Sequence, residues 1–469
     1  MSDSIQKRRL SYRFGLVVLV GLAVIVLGLA GVDRAMKTTT AVGFSPRATR
    51  GYAVIPDVMT WSRRMGEIEA GRVFEEWLPD DVRCLPMLFR EVVGLRPTPG
   101  AWNAWFGPRL LVARAPEGTG LCVRPGMLLR LRCRLRAIGH KESSVAGDGR
   151  AYWAWRDGFL VVSTSEAFVR ASLDGMTPEP ALGPARDVVH IERLEPFAAT
   201  LDVRAHRGLP VEGWVEGSLA TRARPLGLVE CWPDSPLLSV DASSCADLVS
   251  ASAWLRKVVE CDPVTARLYQ AAVGLGRAWF GDPLGKEWAA GQDECALAVM
   301  GINTAESIPV PEVGLVMRPR QMEPAAHPLA GLVAGRAAVD FEWQGRPGVM
   351  APLAGEKIML CLGRSERDWI AASREPIMDR LAAQPPSAGE VSADLVVGLD
   401  WSRLGAVLES VLVSAARLEL TPRMNGDEAR AHWRSRAQRL STLGRLRLMG
   451  FSDGDRIRIT GTLAESDAS

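Results

Sequence analysis

The chain has 469 residues, of which 47% are hydrophobic and 23% are charged, a balance typical of a folded protein. Its length allows roughly two to three domains. The 56 basic and 54 acidic side chains leave a formal net charge of +2. Because so small a charge provides no long-range attraction for polyanions, we predict no nucleic-acid partner.

The first predicted element is a transmembrane helix over residues 14–32, a run of nineteen residues without a charge. At the rise of an α-helix this run spans the hydrocarbon core of a lipid bilayer, which is therefore its predicted partner. A cluster of Lys and Arg in residues 7–13 predicts that residues 1–13 are a cytoplasmic tail and that the body lies outside. A cleaved signal peptide is the alternative, although the apolar run is longer than such a signal needs.

Residues 33–50 are mostly polar and predict a linker between this helix and the body of the protein. Asp57 then precedes apolar residues at helical spacing, which predicts a capped helix running toward Trp77. Further along, residues 110–113 have the composition of a strand.

Residues 152–155 and 159–162 predict a β-hairpin, because the Asp157-Gly158 pair between them supplies the positive φ that a tight turn requires. A short helix is predicted directly afterwards. It opens at Ser165-Glu166, where a hydroxyl and a negative charge stabilise free amides, and ends near Asp174.

The second half of the chain repeats this order of elements. Residues 370–375 align with residues 161–166, which keeps a strand, a turn and a glutamate in register. Three further segment pairs follow the same order: 110–113 with 296–299, 188–191 with 395–399, and 210–219 with 456–463. We therefore predict a tandem duplication with its seam near the prolines of residues 231–236.

The predicted fold class is α+β, an N-terminal transmembrane helix followed by two related α+β units with mainly antiparallel sheets. The units are placed at residues 51–233 and 234–469. This layout resembles a group of bacterial membrane-anchored proteins of unknown function, in which one N-terminal helix precedes repeated α+β units. Their signature is a strand, a Ser/Asp turn and a short amphipathic helix, as in residues 159–174. The resemblance implies an extracytoplasmic location, and we predict a single-pass protein of the bacterial inner membrane with a periplasmic body.

The cysteines and histidines do not form a recognisable metal or redox motif. Eight cysteines are present, at positions 84, 122, 133, 231, 245, 261, 295 and 361. None has C-x-x-C spacing or a nearby histidine, and the five histidines are dispersed, so we predict no metal and no cofactor. Most cysteines lie in apolar runs and are expected to be buried free thiols, although disulfides are possible outside the cytoplasm.

One literal catalytic motif occurs, the G-x-S-x-G of residues 450–454. A nucleophile elbow needs a helix after the serine and a histidine later in the chain. Residues 456–460 instead alternate like a strand, and no histidine follows His432, so Ser452 is predicted in a hairpin turn. Gly274-Leu275-Gly276 lies in a helical stretch and lacks the context of a phosphate loop. We therefore predict no catalytic residues and no cofactor-binding residues.

The candidate contact residues are Arg130, Arg132, Arg134 and Arg136, which alternate with apolar residues. In a strand they form one basic face, which suits an anionic lipid or an acidic envelope protein. A solvated face without a ligand is the alternative, because a charge run alone is weak evidence of binding. The 15 tryptophans against 4 tyrosines have the same two interpretations, core packing or an exposed aromatic patch.

Taken as a whole, the sequence favours a membrane-anchored binding or scaffolding protein of the cell envelope rather than an enzyme. The alternative is an envelope hydrolase, or another enzyme, whose site is assembled from dispersed residues. A sensor is disfavoured because the predicted cytoplasmic tail is too short for an output domain. A deep pocket with convergent polar groups would favour the enzyme, whereas an exposed aromatic or Arg-rich surface would favour binding.

Overall fold

The computed structural model describes residues 46, 49–68, 106–107, 109–126, 146–147, 151–156, 159–174, 188–194, 199–206, 208–217, 219, 225–228, 232, 236–248, 270, 294–303, 310–319, 327, 329–333, 335–343, 345–352, 359–364, 368–383, 391–405, 407, 434, 438 and 442–465. The predicted transmembrane helix over 14–32 lies outside these residues. Within the described ranges, no helix is both long and apolar enough to cross a membrane. These ranges form mostly antiparallel sheet with few helices, so the α+β class is confirmed at this level.

The chain divides into two compact units, the first formed by Met1–Ser62 and Leu78–His190. Its described elements are strands β1 (Gly51–Ile55), β2 (Leu110–Ala115), β3 (Gly118–Val123), β4 (Ala146–Gly147), β5 (Tyr152–Arg156) and β6 (Phe159–Ser163), the beginning of helix α1 (Val58–Glu67), and helix α2 (Glu166–Leu173). The strands pair antiparallel in the order β4-β5-β6-β3-β2-β1. Strand β7 (Val188–Leu194) crosses the division between the units.

Helix α2 covers one side of this first sheet. Ser165 caps it, since the Ser165 Oγ accepts a hydrogen bond from the Phe168 amide at 3.2 Å. Phe168 and Val169 are buried in one cluster with Leu111 and Val161 of the sheet. One core of the unit therefore lies between this helix and the strands beneath it, and a second buried cluster, which includes Leu121 and Leu160, lies on the other side of the sheet.

The second unit comprises Arg63–Trp77 and Ile191–Ser469. Its described strands are β8 (Ala199–Arg204), β9 (Val211–Glu216), β10 (Pro225–Leu226), β11 (Leu238–Ala242), β12 (Glu294–Asn303), β13 (Val310–Arg318), β14 (Val339–Trp343), β15 (Arg346–Pro352), β16 (Met359–Arg364), β17 (Trp369–Ala372), β18 (Val391–Ser392), β19 (Leu395–Asp400), β20 (Leu443–Asp453) and β21 (Arg456–Glu465). Helices α3 (Ala330–Val333) and α4 (Glu375–Ala383) also belong to it.

The antiparallel registers connect most of these strands in the order β14-β15-β16-β17-β13-β12-β11-β19-β20-β21-β9-β8. Strands β10 and β18 form a separate two-stranded sheet. Helix α4 packs its buried Ile377 and Met378 on one side of the large sheet, in a cluster with Ile370 and Val316.

The two strand–helix segments of the sequence, residues 159–174 and 368–383, form the same elements. Strand β6 lies between β3 and β5, and strand β17 lies between β13 and β16. Phe168, Val169, Ile377 and Met378 are buried, whereas Arg170 and Asp379 are exposed. A serine caps the helix in the first segment, whereas in the second segment the Ser373 Oγ accepts a hydrogen bond from the Val313 amide of the sheet.

Other local predictions can be compared with the described residues. The hairpin of β5 and β6 and the strands at 110–113, 188–191, 296–299 and 395–399 are confirmed. Asp57 caps α1 by accepting from the Thr60 amide, and the described helix extends to Glu67. The four cysteines within the described ranges are buried free thiols, as expected for most of them: Cys122, Cys245, Cys295 and Cys361.

Candidate functional site

One side of strands β8, β9, β21 and β20 is polar and accessible to solvent, and we call it the open face. Its residues are Thr200, Asp202, Arg204, Glu212, Trp214, Glu216, Arg445, Arg447, Met449, Phe451, Asp453, Arg456, Arg458, Thr460 and Thr462. The register places these side chains together, since Arg458 is opposite Trp214 on β9 and opposite Phe451 on β20. Directly opposite residues of an antiparallel pair point to the same side of the sheet.

The same four strands place most of their apolar side chains on the other side, although Met449 and Phe451 on the open face pack against Leu226, Ala393 and Val396. Ile457 is buried and Ile459 is half-buried, and both pack in the core cluster that also holds Leu395 and Val397 of β19. This alternation of polar and apolar residues is the pattern of a sheet with one side in the core and one side in water. The open face therefore follows from the sequence period of two in β20 and β21.

On the open face, arginine side chains lie beside aromatic rings. The Arg458 guanidinium lies 4.9 Å from the centroid of the Phe451 ring, within the range of a cation–π contact. Arg445, Arg456 and Arg458 are exposed on β20 and β21, and Arg447 is half-buried beside them. The face thus offers planar cations next to partly accessible rings, a combination that binds anionic groups attached to apolar structure.

Exposed acids flank this basic part of the open face. Glu212 and Glu216 project from β9, and Arg456 of β21 lies between Glu216 on β9 and Asp453 on β20. Among the described side chains of β20 and β21, Asp453 is the one acid on this face beside the four arginines. An acidic partner therefore meets its best electrostatic match along β20 and β21 rather than along β9.

A buried carboxyl group, Asp241 of β11, lies on the same side of the sheet two strands beyond β20. It is opposite Val396 of β19, which is in turn opposite Met449 of the open face. Asp241 is 3% exposed, and burial raises its pKa to about 8. Glu294 raises the pKa further, whereas the Trp232 indole and Arg447 lower it. The neutral carboxylic acid is therefore the prevailing form near pH 7.

Hydrogen bonding at Asp241 is incomplete. Within the described part of the chain, neither Asp241 Oδ1 nor Trp232 Nε1 has a hydrogen-bond partner of normal geometry. The nearby Glu294 is better satisfied, since its Oε1 accepts from the amides of Gly227 and Leu228 at 2.7 and 2.6 Å. Burying this carboxyl group without full hydrogen bonding lowers the stability of the fold, which makes Asp241 a candidate for a role other than packing.

A second buried carboxyl group, Asp394, lies beside Ser452 of the G-x-S-x-G motif. The Ser452 amide donates to Asp394 Oδ2 at 2.7 Å, and Ser452 lies in β20, just before the turn at Gly454, which has φ +68°. Burial raises the pKa of Asp394, the Ser452 hydrogen bond lowers it, and Asp247 raises it again. The hairpin is present as predicted, but Ser452 lies in the strand before its turn rather than in the turn itself, and the Ser452 amide connects the hairpin to the residue that precedes β19.

Asp247 completes this polar cluster. Its Oδ2 accepts from the hydroxyls of Ser243 and Ser244 at 3.0 and 2.8 Å, and its amide donates to the Ser244 Oγ. The side chains of these three residues are buried at 0 to 1% exposure. The cluster joins the end of β11 to β19 and β20, and its burial makes it a structural connection rather than a reactive site.

Within the described ranges, the other groups with shifted pKa values, His327 and Cys361 among them, are not grouped into a reactive centre. Burial lowers the pKa of His327 to about 4, and its ring nitrogens contact the Ile370 carbonyl and the Leu329 amide. Burial, with smaller contributions from Glu375 and Asp379, raises the pKa of Cys361 to about 11, which keeps the thiol protonated. No three His, Cys, Asp or Glu side chains in the described ranges are grouped to hold a metal.

The candidate residues named from the sequence and those found in the structure differ. Arg130, Arg132, Arg134 and Arg136 lie outside the described residues, as does Gly274-Leu275-Gly276. The structure instead groups Arg445, Arg447, Arg456 and Arg458 on two paired strands, of which the strand over residues 456–460 was predicted. In the sequence these four arginines alternate with apolar residues, as the arginines at positions 130, 132, 134 and 136 do. The signal for Asp241 was a lone acid in a strand whose other residues carry no charge.

Comparison with known proteins adds no family to this description. No protein-family model, no curated protein and no solved structure matches the chain.

Proposed function

We propose that the chain is a binding or scaffolding protein of the cell envelope. In this proposal residues 14–32 anchor it in the bacterial inner membrane, and its body lies in the periplasm. The open face supports a binding role, because it exposes arginines beside two partly accessible aromatic rings. Guanidinium groups pair with carboxylates and phosphates, so the partner is an acidic envelope protein or an anionic lipid headgroup.

The enzymatic alternative has less support from the described residues. The carboxyl groups with raised pKa values, Asp241 and Asp394, are 3% and 0% exposed. A general acid or base must come within hydrogen-bonding reach of its substrate. Buried groups of this kind do not meet that requirement, whereas the open face needs no rearrangement to receive a partner.

We also propose that the two units derive from one duplicated α+β unit. Val161 and Ile370 are aligned in the sequence. Following the directly opposite residues from strand to strand, starting at each of them, gives one row across each sheet. The rows are Val54-Leu111-Cys122-Val161-Ala154 and Asp241-Ala296-Val316-Ile370-Gly363. Each row lies under a helix that follows the same strand. A match of strand order, helix position and register across five strands supports duplication more strongly than four short sequence matches.

The predicted anchor and orientation are tested by fusing a reporter after Ser469. A reporter that is active only outside the cytoplasm is expected to be active, because the basic cluster before residue 14 favours a cytoplasmic N-terminus. The protein should also stay in the membrane fraction after alkaline washing, and a variant without residues 1–32 should not. Activity of a cytoplasm-only reporter at the same point would contradict the orientation.

The open face is tested by site-specific photo-crosslinking in intact cells. A photoreactive residue at Thr462, which is exposed beside Arg447, is expected to give a crosslinked product, and Thr164 of the first unit is the matched exposed control. Reversing two exposed charges, Arg456→Glu with Arg458→Glu, should remove that product without changing the amount of protein. Equal labelling at Thr462 and Thr164, or persistence of the product in the double variant, would contradict the proposal.

A further inference from the structure

Strand β14 lies at one end of the large sheet of the second unit. Its register is defined with β15 alone among the described strands, so its other side carries backbone N–H and C=O groups that no described strand pairs. Such an edge is a template for an additional strand, and natural proteins commonly use edges of this kind to bind extended peptides.

The side chains of β14 divide into an apolar side and an acidic side. Phe341 is half-buried and Trp343 is 3% exposed, and both belong to the core cluster under α4. Val339 is on the same side but is 58% exposed, and no other large hydrophobic residue in the described ranges is exposed in this way. A strand added beside β14 would cover Val339 with an apolar side chain of its own.

The opposite side of β14 carries Asp340 and Glu342, and both are exposed. The residues directly opposite them on β15 are Val349 and Pro347, so the neighbouring strand provides no basic side chain to either acid. Two carboxylates on one side of an edge strand attract basic side chains at the same spacing on an added strand. They also repel an acidic or a second identical edge.

From this pattern we propose that the β14 edge binds an extended peptide segment in which basic and apolar residues alternate. The segment adds as an antiparallel strand, its basic side chains opposite Asp340 and Glu342 and its apolar side chains beside Val339 and Phe341. Backbone hydrogen bonds provide the binding, and the charge pattern selects the partner. This site is separate from the open face, so the result of testing it does not depend on whether the proposed function is correct.

The test uses the full chain in a mild detergent and a short synthetic peptide in which arginine and valine alternate. Binding is measured by fluorescence anisotropy. In a strand, successive N–H groups point to opposite edges, so two N-methylated peptides are compared, each blocking one alternate set of amides. One set faces β14 and the other faces solvent. We expect one methylated peptide to lose binding by roughly tenfold or more and the other to bind like the unmodified peptide.

Charge variants separate this edge from general electrostatic attraction. The pair Asp340→Lys with Glu342→Lys is expected to weaken peptide binding by roughly tenfold or more, since it replaces attraction with repulsion. The control, Glu212→Lys with Glu216→Lys, reverses two exposed acids that lie four residues apart on one side of an interior strand, and it should leave binding unchanged. Circular dichroism checks that both variants are folded.

Three results would overturn the proposal. They are equal binding of the two methylated peptides, equal effects of the two charge variants, and no binding of the alternating peptide to the unmodified chain. The first two would mean that the acids attract any cation. The third would mean that Asp340 and Glu342 serve only to keep this edge from pairing with other strands.

Discussion

Replacing Gly120 of β3 with alanine is expected to destabilise the first unit by about 1–3 kcal/mol, the range for overpacking a core. A Cβ atom at this position would lie 2.1 Å from Cε1 of Phe168, whose ring is 1% exposed. The ring cannot turn into solvent, so α2 or β3 must shift. Hydrogen exchange of the β3 and α2 amides, together with denaturant unfolding, measures the effect.

Two further variants identify the cause. Phe168→Ala alone should cost about 3–5 kcal/mol, because it leaves a cavity beneath α2. Combined with Gly120→Ala, it should cost less than the sum, because the added methyl group then occupies part of that cavity. Gly66→Ala makes the same chemical change in α1, where a Cβ meets nothing within 4 Å, and should be neutral or slightly stabilising. Additive costs for Gly120 and Phe168 would contradict the direct contact.

The second unit also has a sheet glycine in contact with a large side chain of its covering helix, although on a different strand. A Cβ at Gly363 of β16 would lie 2.0 Å from Cε of Met378 in α4 and 2.6 Å from the Trp343 ring. In each unit a glycine in the sheet thus makes room for a large side chain of the covering helix. Sequence alone shows the glycines but not the partners, because the partner of Gly120 is 48 residues later.

Local structure was predictable where the signal is contained in a few residues. The Asp157-Gly158 turn and the alternation of residues 456–460 each indicate a hairpin by backbone geometry and a period of two. The long-range pairing of β11 with β19, or of β9 with β21, has no such signal. It depends on which apolar surfaces are left to bury once the local elements exist.

Register was predicted less accurately than element type. The sequence aligns residues 110–113 with 296–299, but the registers that start from Val161 and Ile370 place Leu111, not Leu110, at the position of Ala296. A shift of one residue exchanges the two sides of a strand. The α+β elements were therefore predictable, and so was the alternation within β20 and β21, whereas the pairing that adds β8 and β9 to the open face was not.

Asp241 is where the two register rows differ most in chemistry, since the matching position of the first unit is Val54, a fully buried valine. Changing Asp241 to valine is expected to stabilise the second unit, increasingly so as the pH rises. The pKa of this carboxyl is raised by burial from an ordinary value of 3.8 to about 8 in the folded chain. Between these values the folded state retains a proton that the unfolded state releases, so stability falls with rising pH.

The contribution of the protonated Asp241 carboxyl to the free energy of unfolding is fully present below about pH 4, where the folded and unfolded states are both protonated. It is lost as the pH rises through about 8. At pH 7 the gain from Asp241→Val is on the order of 4 kcal/mol or less, since one pKa unit corresponds to about 1.4 kcal/mol. Urea unfolding across this pH range measures the free energy of unfolding of the unmodified chain and of the variant. The difference between the two free energies removes the contribution of all other titratable groups.

Two control substitutions separate charge from packing at this position. Asp241→Asn keeps the shape and a buried polar group, so it should flatten the pH dependence while remaining less stable than the valine variant. Asp202→Asn makes the same chemical change at an exposed position of the open face and so controls for the loss of one carboxylate. If the unmodified chain and Asp241→Val show the same slope of unfolding free energy between about pH 4 and 8, Asp241 ionises at an ordinary pKa, and its burial has no electrostatic consequence. A steeper loss of stability in the unmodified chain would instead identify Asp241 as a group retained at a cost in stability.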